Sequence, residues 1–109
     1  MFLDRDGVIN LLVDRGGVLT SPRNEREFNY VDVVDRFVET AMGLGFEVVV
    51  ISNQPEVKRG LVERRTVEEF HQRIRREIGI QHFYVCWHDE TDNCECRKPK
   101  PGLLIKAAL

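Results

Sequence analysis

The chain opens with a short apolar run that leads directly into two carboxylates and a glycine, Phe2-Leu3-Asp4-Arg5-Asp6-Gly7. In α/β proteins, ligands bind at the carboxyl ends of parallel strands, and polar residues that directly follow an apolar strand lie at that edge. This stretch therefore predicts a first strand that ends at Asp4, with Asp6 turned back over the strand end. It favours an α/β fold in which the rest of the chain is arranged around this point.

The spacing of Asp4 and Asp6 suits phosphoryl transfer. A carboxylate can attack phosphorus and form an aspartyl-phosphate, which divides one difficult displacement into two easier ones. A second carboxyl group nearby can protonate the leaving oxygen and then activate the water that cleaves the intermediate. We therefore predict Asp4 as the nucleophile and Asp6 as the general acid and base. Acids at this spacing also occur in ordinary solvated loops, so the assignment depends on motifs further along the chain.

The apolar pattern along the rest of the chain predicts alternating helices and strands. A helix is expected over residues 31–44 and a strand over 46–52. A second helix, with Thr66 and Glu69 as its capping box, precedes a third strand over 82–86. Helices that alternate with buried strands build βαβ units, which favours a Rossmann-like parallel sheet flanked by helices.

Glycine and proline mark the connections between these elements. The pair Gly16-Gly17 separates short apolar runs and predicts a β-hairpin, because two-residue hairpin turns need positive φ angles. This hairpin is expected to be either a flap over the site or a plain surface hairpin. Pro55 and Gly60 are expected to bracket a loop, and a third helix is expected over residues 103–109.

Length and charge limit the classes of function. With 109 residues the chain is long enough for one domain, which we place over residues 1–109. Its 16 basic and 18 acidic residues give a net charge of -2, which does not favour nucleic acid as a partner. The sequence has no run of 18 apolar residues and no secretory signal pattern, so we expect a cytoplasmic protein without a membrane segment.

Three cysteines and a histidine lie close together in the sequence, as Cys86-Trp87-His88 and Cys94-Glu95-Cys96. Three thiolates and one imidazole complete a tetrahedral zinc site of the closed, structural kind. A disulfide framework would usually join distant segments, so the clustering favours a metal. The alternative is three reduced cysteines beside a surface histidine. We predict that zinc orders the polar loop between the two pairs.

Two further motifs supply groups that suit a phosphate ligand. Ser52 and Asn53 follow the second strand, so both would stand at the same sheet edge as Asp4. Arg97 and Lys98 lie between the last cysteine and two prolines, which would hold both cations in fixed places. Lys98 would offset the charge of a phosphoryl group, and Arg97 would grip a second phosphate or sugar oxygens. An ordinary turn cap and a solvated basic loop are the alternatives.

Taken together, these residues resemble the haloacid dehalogenase superfamily of aspartate-nucleophile phosphatases. Within it, the chain is similar to the zinc-loop branch that includes the heptose bisphosphate and histidinol-phosphate phosphatases. The resemblance covers almost the whole chain and rests on Phe-Leu-Asp-Arg-Asp-Gly-Val-Ile-Asn, Ser-Asn-Gln, the Cys-x-His and Cys-x-Cys pairs, and Cys-Arg-Lys-Pro-Lys-Pro-Gly. It implies Mg²⁺-dependent hydrolysis of a phosphate monoester of a small metabolite, most simply a sugar phosphate such as heptose 1,7-bisphosphate.

The resemblance also implies roles for individual residues. Asp4 would be the nucleophile and Asp6 the general acid and base, with Mg²⁺ held by the Asp4 carboxylate and the Asp6 backbone carbonyl. The phosphoryl group would be held by Ser52 and Lys98. Asn53 and Arg97 would bind the rest of the substrate. The structural zinc would be bound by Cys86, His88, Cys94 and Cys96.

The chain departs from this family pattern at its end. The family has a fourth motif, an acidic pair after a further strand, which completes the Mg²⁺ site, and this sequence stops at Leu109 before any such strand. Losing a carboxylate should weaken Mg²⁺ binding, because this ion prefers octahedral oxygen coordination. Without the further strand, the first strand would keep an unpaired edge that is open to self-association or to a partner chain.

We therefore expect a fold that is incomplete at the carboxyl terminus, either as a fragment or as a chain that borrows the missing part from a partner. Two alternatives to a phosphatase remain. One is a non-catalytic zinc-binding α/β module whose role is association. The other is a phosphotransferase, which would differ only in the acceptor that reaches the aspartyl-phosphate.

Overall fold

The structure is a computed structural model that describes residues 1–88. Its elements follow one another as β1 (Phe2–Asp4), β2 (Val13–Arg15), β3 (Val18–Thr20), a 3₁₀ helix (Glu25–Glu27), α1 (Val34–Gly43), β4 (Val49–Asn53), α2 (Pro55–Lys58), α3 (Arg64–Glu77) and β5 (His82–Cys86). A parallel sheet has the strand order β1-β4-β5, and β2 pairs with β3 in a separate hairpin. The predicted α/β fold with a parallel sheet and flanking helices is confirmed. No helix in this part of the chain is long and apolar enough to cross a membrane.

The crossover from β1 to β4 places two strand ends side by side. The two strands pair in parallel, with Asp4 opposite Ile51, so that Ser52 is the next residue along β4. A parallel pair requires a crossover connection, and α1 provides it. This helix buries one apolar stripe against the core, formed by Val34, Val38 and Ala41. The carboxyl ends of β1 and β4 therefore meet at one edge of the sheet.

Two predicted boundaries shift because of local backbone geometry. Helix α1 begins at Val34 rather than at residue 31, since Val33 has a left-handed backbone with φ 61°, which a right-handed helix does not contain. Strand β4 begins at Val49 rather than at residue 46. The reason is that Phe46 belongs to the end of α1, where its N–H donates to the Ala41 carbonyl over 3.0 Å.

The predicted capping box of the second long helix is wrong. Helix α3 begins at Arg64, so Thr66 is already inside its first turn, where its N–H donates to the Glu63 carbonyl over 3.0 Å. The segment expected to be a loop between Pro55 and Gly60 contains the short helix α2. Pro55 takes the first position of that helix, where a missing N–H removes no helical hydrogen bond. The predicted third helix at 103–109 lies outside residues 1–88.

The main hydrophobic core contains buried side chains from the sheet and from α1 and α3, among them Val50, Val38 and Phe70. Phe28 and Phe70 are almost completely buried, and their rings stack with centroids 4.6 Å apart. Val67 and Ile74 of α3 are also fully buried, as their spacing predicts. The Arg5 guanidinium lies 5.8 Å from the centroid of the Phe70 ring. A buried cation therefore separates the apolar core from the polar edge of the sheet.

The predicted hairpin is confirmed. Gly16 and Gly17 form its tip with φ angles of 64° and 91°, and the Asp14 carboxylate accepts a hydrogen bond from the Gly17 N–H at 2.7 Å. Val18 and Leu19 of β3 are 61% and 63% exposed, which makes this strand an exposed apolar surface. That the hairpin acts as a flap over the site stays a prediction.

Strand β1 lies at one side of the sheet that residues 1–88 form, and within this range its only strand neighbour is β4. The surface beside this edge is apolar, with Phe2, Val8 and Phe37 about half exposed. A cavity of about 280 Å³, lined by Leu3, Val8, Phe37 and the start of α1, opens on the same surface. The proposed interface with a second copy or a partner chain through this edge stays a prediction.

Candidate active site

Asp4 and Ser52 stand at the ends of adjacent parallel strands. Asp4 is the last residue of β1 and is exposed, whereas Ser52, the fourth residue of β4, is buried. Asn53 ends β4 and is half-buried. Asp6 lies two residues after Asp4, in the turn that directly follows β1, which we call the first turn. The structure therefore brings all four of these predicted site residues to one edge of the sheet.

The Asp6 carboxylate accepts five hydrogen bonds from four side chains. Its Oδ1 accepts from Arg5 Nη2 at 2.8 Å, from Arg5 Nε at 3.2 Å and from Asn10 Nδ2 at 3.0 Å. Its Oδ2 accepts from Ser21 Oγ and from Gln54 Nε2, each at 3.0 Å. Because both oxygens have donors, the carboxylate is held in one orientation by residues from the first turn, the end of the hairpin and the end of β4.

These donors decide the ionisation state of Asp6. Burial by itself would raise the pKa of the carboxyl group, but the charge of Arg5 and the hydrogen bonds from Arg5, Asn10 and Ser21 outweigh burial and lower that pKa. Asp6 is therefore a carboxylate at neutral pH and can accept a proton directly. To act as the predicted general acid, it must first gain one.

The lowered pKa of Asp6 predicts a contribution to stability that acid removes. A carboxyl group with a lower pKa in the folded chain stabilises it above the unfolded pKa of about 3.9, and this contribution is lost as the pH falls through the folded pKa. We expect Asp6→Asn to lower the free energy of unfolding by about 1–3 kcal/mol at neutral pH. The difference from the parent protein should shrink below about pH 4. Urea unfolding of both proteins across this range measures it, and a difference that does not change with pH would contradict the prediction.

Gln54 joins the two strand ends. Its side chain is 1% exposed, and its Nε2 donates to Asp6 Oδ2 at 3.0 Å and to Ser52 Oγ at 2.6 Å. Its backbone N–H donates to the Cys86 carbonyl at the end of β5 over 2.8 Å. One buried residue therefore connects the first turn, β4 and β5, and it fixes the distance between Asp6 and Ser52.

Arg5 points into the protein from the first turn and is fully buried. Its Nη1 lies 3.2 Å from Nε2 of His71 on α3. The His71 ring is 3% exposed and stacks on Phe83 with centroids 4.7 Å apart. Burial and the charges of Arg5 and Arg75 lower the pKa of His71 to about 3, so this ring is neutral at physiological pH.

Sequence reasoning missed the residues that hold Asp6 in place, which are Arg5, Asn10, Ser21 and Gln54, and it missed His71, which contacts Arg5. Arg5 lies between Asp4 and Asp6, and Gln54 directly follows Asn53, so both stand inside motifs that the sequence analysis uses. Their place in these motifs was a signal that could have identified them. Ser21 and His71 come from the hairpin and from α3. No local pattern marks them, because only the packing of distant segments brings them to the site.

The predicted zinc ligands are described in part. Cys86 Sγ and His88 Nδ1 lie 3.8 Å apart, close to the roughly 3.6 Å expected between a sulfur and a nitrogen ligand of one tetrahedral zinc ion. Among residues 1–88, no three His, Cys, Asp or Glu side chains are grouped to hold a metal ion. The remaining predicted ligands and cations lie outside this range, namely Cys94, Cys96, Arg97 and Lys98.

The sequence matches the family model described as polynucleotide kinase 3 phosphatase over residues 4–108. It is 33% identical over 114 residues to a D-glycero-beta-D-manno-heptose-1,7-bisphosphate 7-phosphatase of Helicobacter pylori, with 99% of this chain and 62% of that protein covered. It is 34% identical over 110 residues to a D-glycero-alpha-D-manno-heptose-1,7-bisphosphate 7-phosphatase of Mycobacterium tuberculosis, with 96% of this chain and 56% of that protein covered. The chain thus spans about three fifths of the length of these curated relatives.

The fold is similar to that of a solved protein with a related name. A D,D-heptose 1,7-bisphosphate phosphatase from B. bronchiseptica, solved with magnesium and phosphate, superposes with a TM-score of 0.85 at 26% identity. The match covers 99% of this chain and 60% of that one. The likeness therefore extends over the strand ends that carry Asp4 and Ser52.

Proposed function

Because the chain belongs to the polynucleotide kinase 3 phosphatase family, we propose that it hydrolyses a phosphate monoester of a small phosphorylated sugar. This family is one of the haloacid dehalogenase-like phosphatases that the motifs of the chain predict. The first candidate substrate is D-glycero-D-manno-heptose 1,7-bisphosphate, because the relatives are named for that compound. Histidinol phosphate is the alternative substrate. The net charge of -2 does not favour a polynucleotide.

One observation carries this proposal, which is the position of Asp4 beside the end of β4. Asp4 is exposed at the end of a strand, and its neighbour strand places a buried hydroxyl, Ser52, next to it. The carboxylate of Asp6 is held near Ser52, because Gln54 Nε2 donates a hydrogen bond to each of them. A nucleophile on a rigid element with fixed polar neighbours is what in-line attack on a phosphate requires.

The proposed reaction proceeds in two displacements at phosphorus. Asp4 attacks and forms an aspartyl-phosphate while the bond from phosphorus to the sugar oxygen breaks. Asp6, in its protonated form, gives a proton to that oxygen and becomes a carboxylate. The same carboxylate then accepts a proton from the water that attacks the aspartyl-phosphate. Inorganic phosphate leaves, and Asp4 is regenerated.

Binding of the phosphoryl group is assigned to Ser52 and Lys98. The Ser52 hydroxyl accepts a hydrogen bond at 2.6 Å from the buried amide beneath it, so its own hydrogen can donate to a phosphoryl oxygen. Asn53 and Arg97 are assigned to the rest of the substrate. The pairing of β4 with β5 sets Asn53 opposite Cys86, where the segment that leads to Arg97 and Lys98 begins.

The oxygen atoms at the strand ends are suitable ligands for Mg²⁺. Asp4 offers an exposed carboxylate. Both carboxylate oxygens of Asp6 accept hydrogen bonds, so Asp6 would contribute its backbone carbonyl. Oxygen ligands of this kind are those that Mg²⁺ prefers. When bound, the ion would offset the negative charge of the phosphoryl group and of the nucleophile.

Phosphate release from a panel of phosphate esters tests the proposed function. The panel contains heptose 1,7-bisphosphate, histidinol phosphate and a 3′-phosphorylated oligonucleotide, each with the 109-residue protein and Mg²⁺. We expect release from the heptose bisphosphate and none from the oligonucleotide. Preferred release from histidinol phosphate would reassign the substrate. No release by a folded protein would favour the non-catalytic zinc-binding module.

We further propose that zinc is bound by Cys86, His88, Cys94 and Cys96. The 3.8 Å separation of Cys86 Sγ and His88 Nδ1 supports this ligand set. A reducing compartment such as the cytoplasm, where we place the protein, would keep the thiolates available to the metal.

Metal analysis of protein purified under reducing conditions is expected to find about one zinc per chain. Cys86→Ser should lose most of it, because a structural zinc site needs all four ligands. His82→Ala is the matched control, since His82 is an exposed histidine outside the proposed set. Zinc that persists in Cys86→Ser, or that disappears equally in the control, would count against this ligand set.

A further inference from the structure

His71 is a buried polar residue that the proposed chemistry does not use. It lies on α3 and is 3% exposed. Its ring nevertheless connects to the site through one contact, the 3.2 Å approach of its Nε2 to Arg5 Nη1. The two residues are 66 positions apart in the sequence, so this contact depends on the folded arrangement.

The Arg5 guanidinium has partners on two of its sides. Its Nε and Nη2 both donate to Asp6 Oδ1, at 3.2 and 2.8 Å. Its Nη1 points the other way, to His71, and the Phe70 ring lies 5.8 Å from its central carbon. A guanidinium held at both ends has a fixed plane, because its donors form a rigid planar fork. Without an acceptor at Nη1, a buried donor would lose its partner, which favours rotation of the whole group.

His71 is suited to this contact as a neutral ring. Arginine only donates, so Nε2 must accept, which places the ring proton on Nδ1. The charged groups that face the ring are Arg5, Arg75 and Asp6, and the first two disfavour a second proton. On its other side the ring stacks on Phe83 at 4.7 Å with 23° between the planes. The stack holds the ring so that Nε2 faces Arg5.

We propose that His71 is a positioning residue that fixes the plane of the Arg5 guanidinium and, through Arg5, the orientation of the Asp6 carboxylate. This inference rests on the proposed function, which gives Asp6 its part in the reaction. His71 touches neither the reacting carboxylate nor the groups assigned to substrate binding. Its loss should therefore slow turnover without weakening substrate binding.

Two substitutions separate the acceptor from the packing role of the ring. His71→Phe keeps an aromatic ring against Phe83 and removes Nε2. His71→Gln loses the aromatic stack but places an amide oxygen near the position of Nε2. His82→Phe is the control for a change of histidine elsewhere, since His82 is exposed at the start of β5.

The expected result is a split between kcat and KM. With heptose 1,7-bisphosphate, His71→Phe should lower kcat about 10- to 100-fold while KM changes less than about threefold, because a small displacement of a catalytic group costs this much. His71→Gln should restore most of the rate, and His82→Phe should match the parent. Equal loss in the Phe and Gln variants would overturn the proposal, since the ring and not its acceptor would then matter. An unchanged kcat in His71→Phe would overturn it as well.

NMR of the side chains tests the same inference without turnover. In the parent protein, the ¹⁵N shifts of His71 should place the proton on Nδ1, and Arg5 should give separate Nη resonances because its rotation is hindered. His71→Phe should average the Arg5 resonances, and His71→Gln should keep them apart. A proton on Nε2 in the parent, or unchanged Arg5 resonances in His71→Phe, would overturn the proposal. If the parent releases no phosphate, the proposed function fails, and the NMR result alone decides the role of His71. If His71→Phe does not fold, the position of the proton in the parent decides it.

Discussion

Asp4→Asn is expected to abolish phosphate release while it leaves the fold intact. An amide is a far weaker nucleophile than a carboxylate towards phosphorus, so turnover should fall at least about a thousandfold. Asp4 is exposed at the end of β1, so the free energy of unfolding should change by less than about 1 kcal/mol. Phosphate release and urea unfolding of the same preparations measure both quantities.

The control for this substitution is Asp35→Asn, which makes the same chemical change at an exposed position in the first turn of α1. Its turnover should equal that of the parent. If Asp4→Asn keeps more than about a tenth of the parent rate, a different group is the nucleophile. If Asp4→Asn loses both activity and stability, the loss of activity says nothing about nucleophilic attack, and the exposed position of Asp4 has been misjudged.

Phe70→Ala is expected to cause the largest loss of stability among single core substitutions. The ring is fully buried, stacks on Phe28 at 4.6 Å and lies under the Arg5 guanidinium. Removing it should lower the free energy of unfolding by about 3–5 kcal/mol through lost burial and the cavity left behind. A small domain has only about 5–15 kcal/mol in total, so a substantial unfolded population is expected on mild heating. Thermal and urea unfolding followed by circular dichroism measure the change.

Phe37→Ala is the matched control, because Phe37 is also a helical phenylalanine but is 51% exposed on α1. Its effect on the free energy of unfolding should stay within about 1 kcal/mol. Equal effects of the two substitutions would contradict the assignment of Phe70 to the core. They would also contradict the position of Arg5, which packs on the same ring.

The elements of the fold were predictable because their apolar residues recur with helical or strand periodicity. Strand β5 was predicted with its observed bounds, 82–86, and the hairpin followed from Gly16-Gly17. The errors lie at element ends, where one backbone angle or one hydrogen bond decides. Val33 takes a left-handed conformation that nothing in a valine side chain indicates, and Phe46 joins the end of α1 although its apolar character suits a strand.

The positions of candidate site residues were predictable where a residue stands at the carboxyl end of a strand. Asp4 and Ser52 were placed at the sheet edge in this way, since Asp4 is the last residue of β1 and Ser52 is the fourth of the five residues of β4. The side chains that hold Asp6 in place were not predicted as a group. Ser21 and His71 reach it or its partner Arg5 only through tertiary packing, and a sequence pattern carries no signal for contacts between segments so far apart.

The hydrogen bond from Gln54 to Asp6 spans 48 residues, and it closes only when the β1–α1–β4 crossover is complete. Closing such a long loop costs conformational entropy before the contacts in the site can form and offset this cost. Helical structure can therefore return early during refolding without any catalytic competence. Recovery of the proposed activity should coincide with the slow, global phase of refolding, so its time course would report the last step of folding.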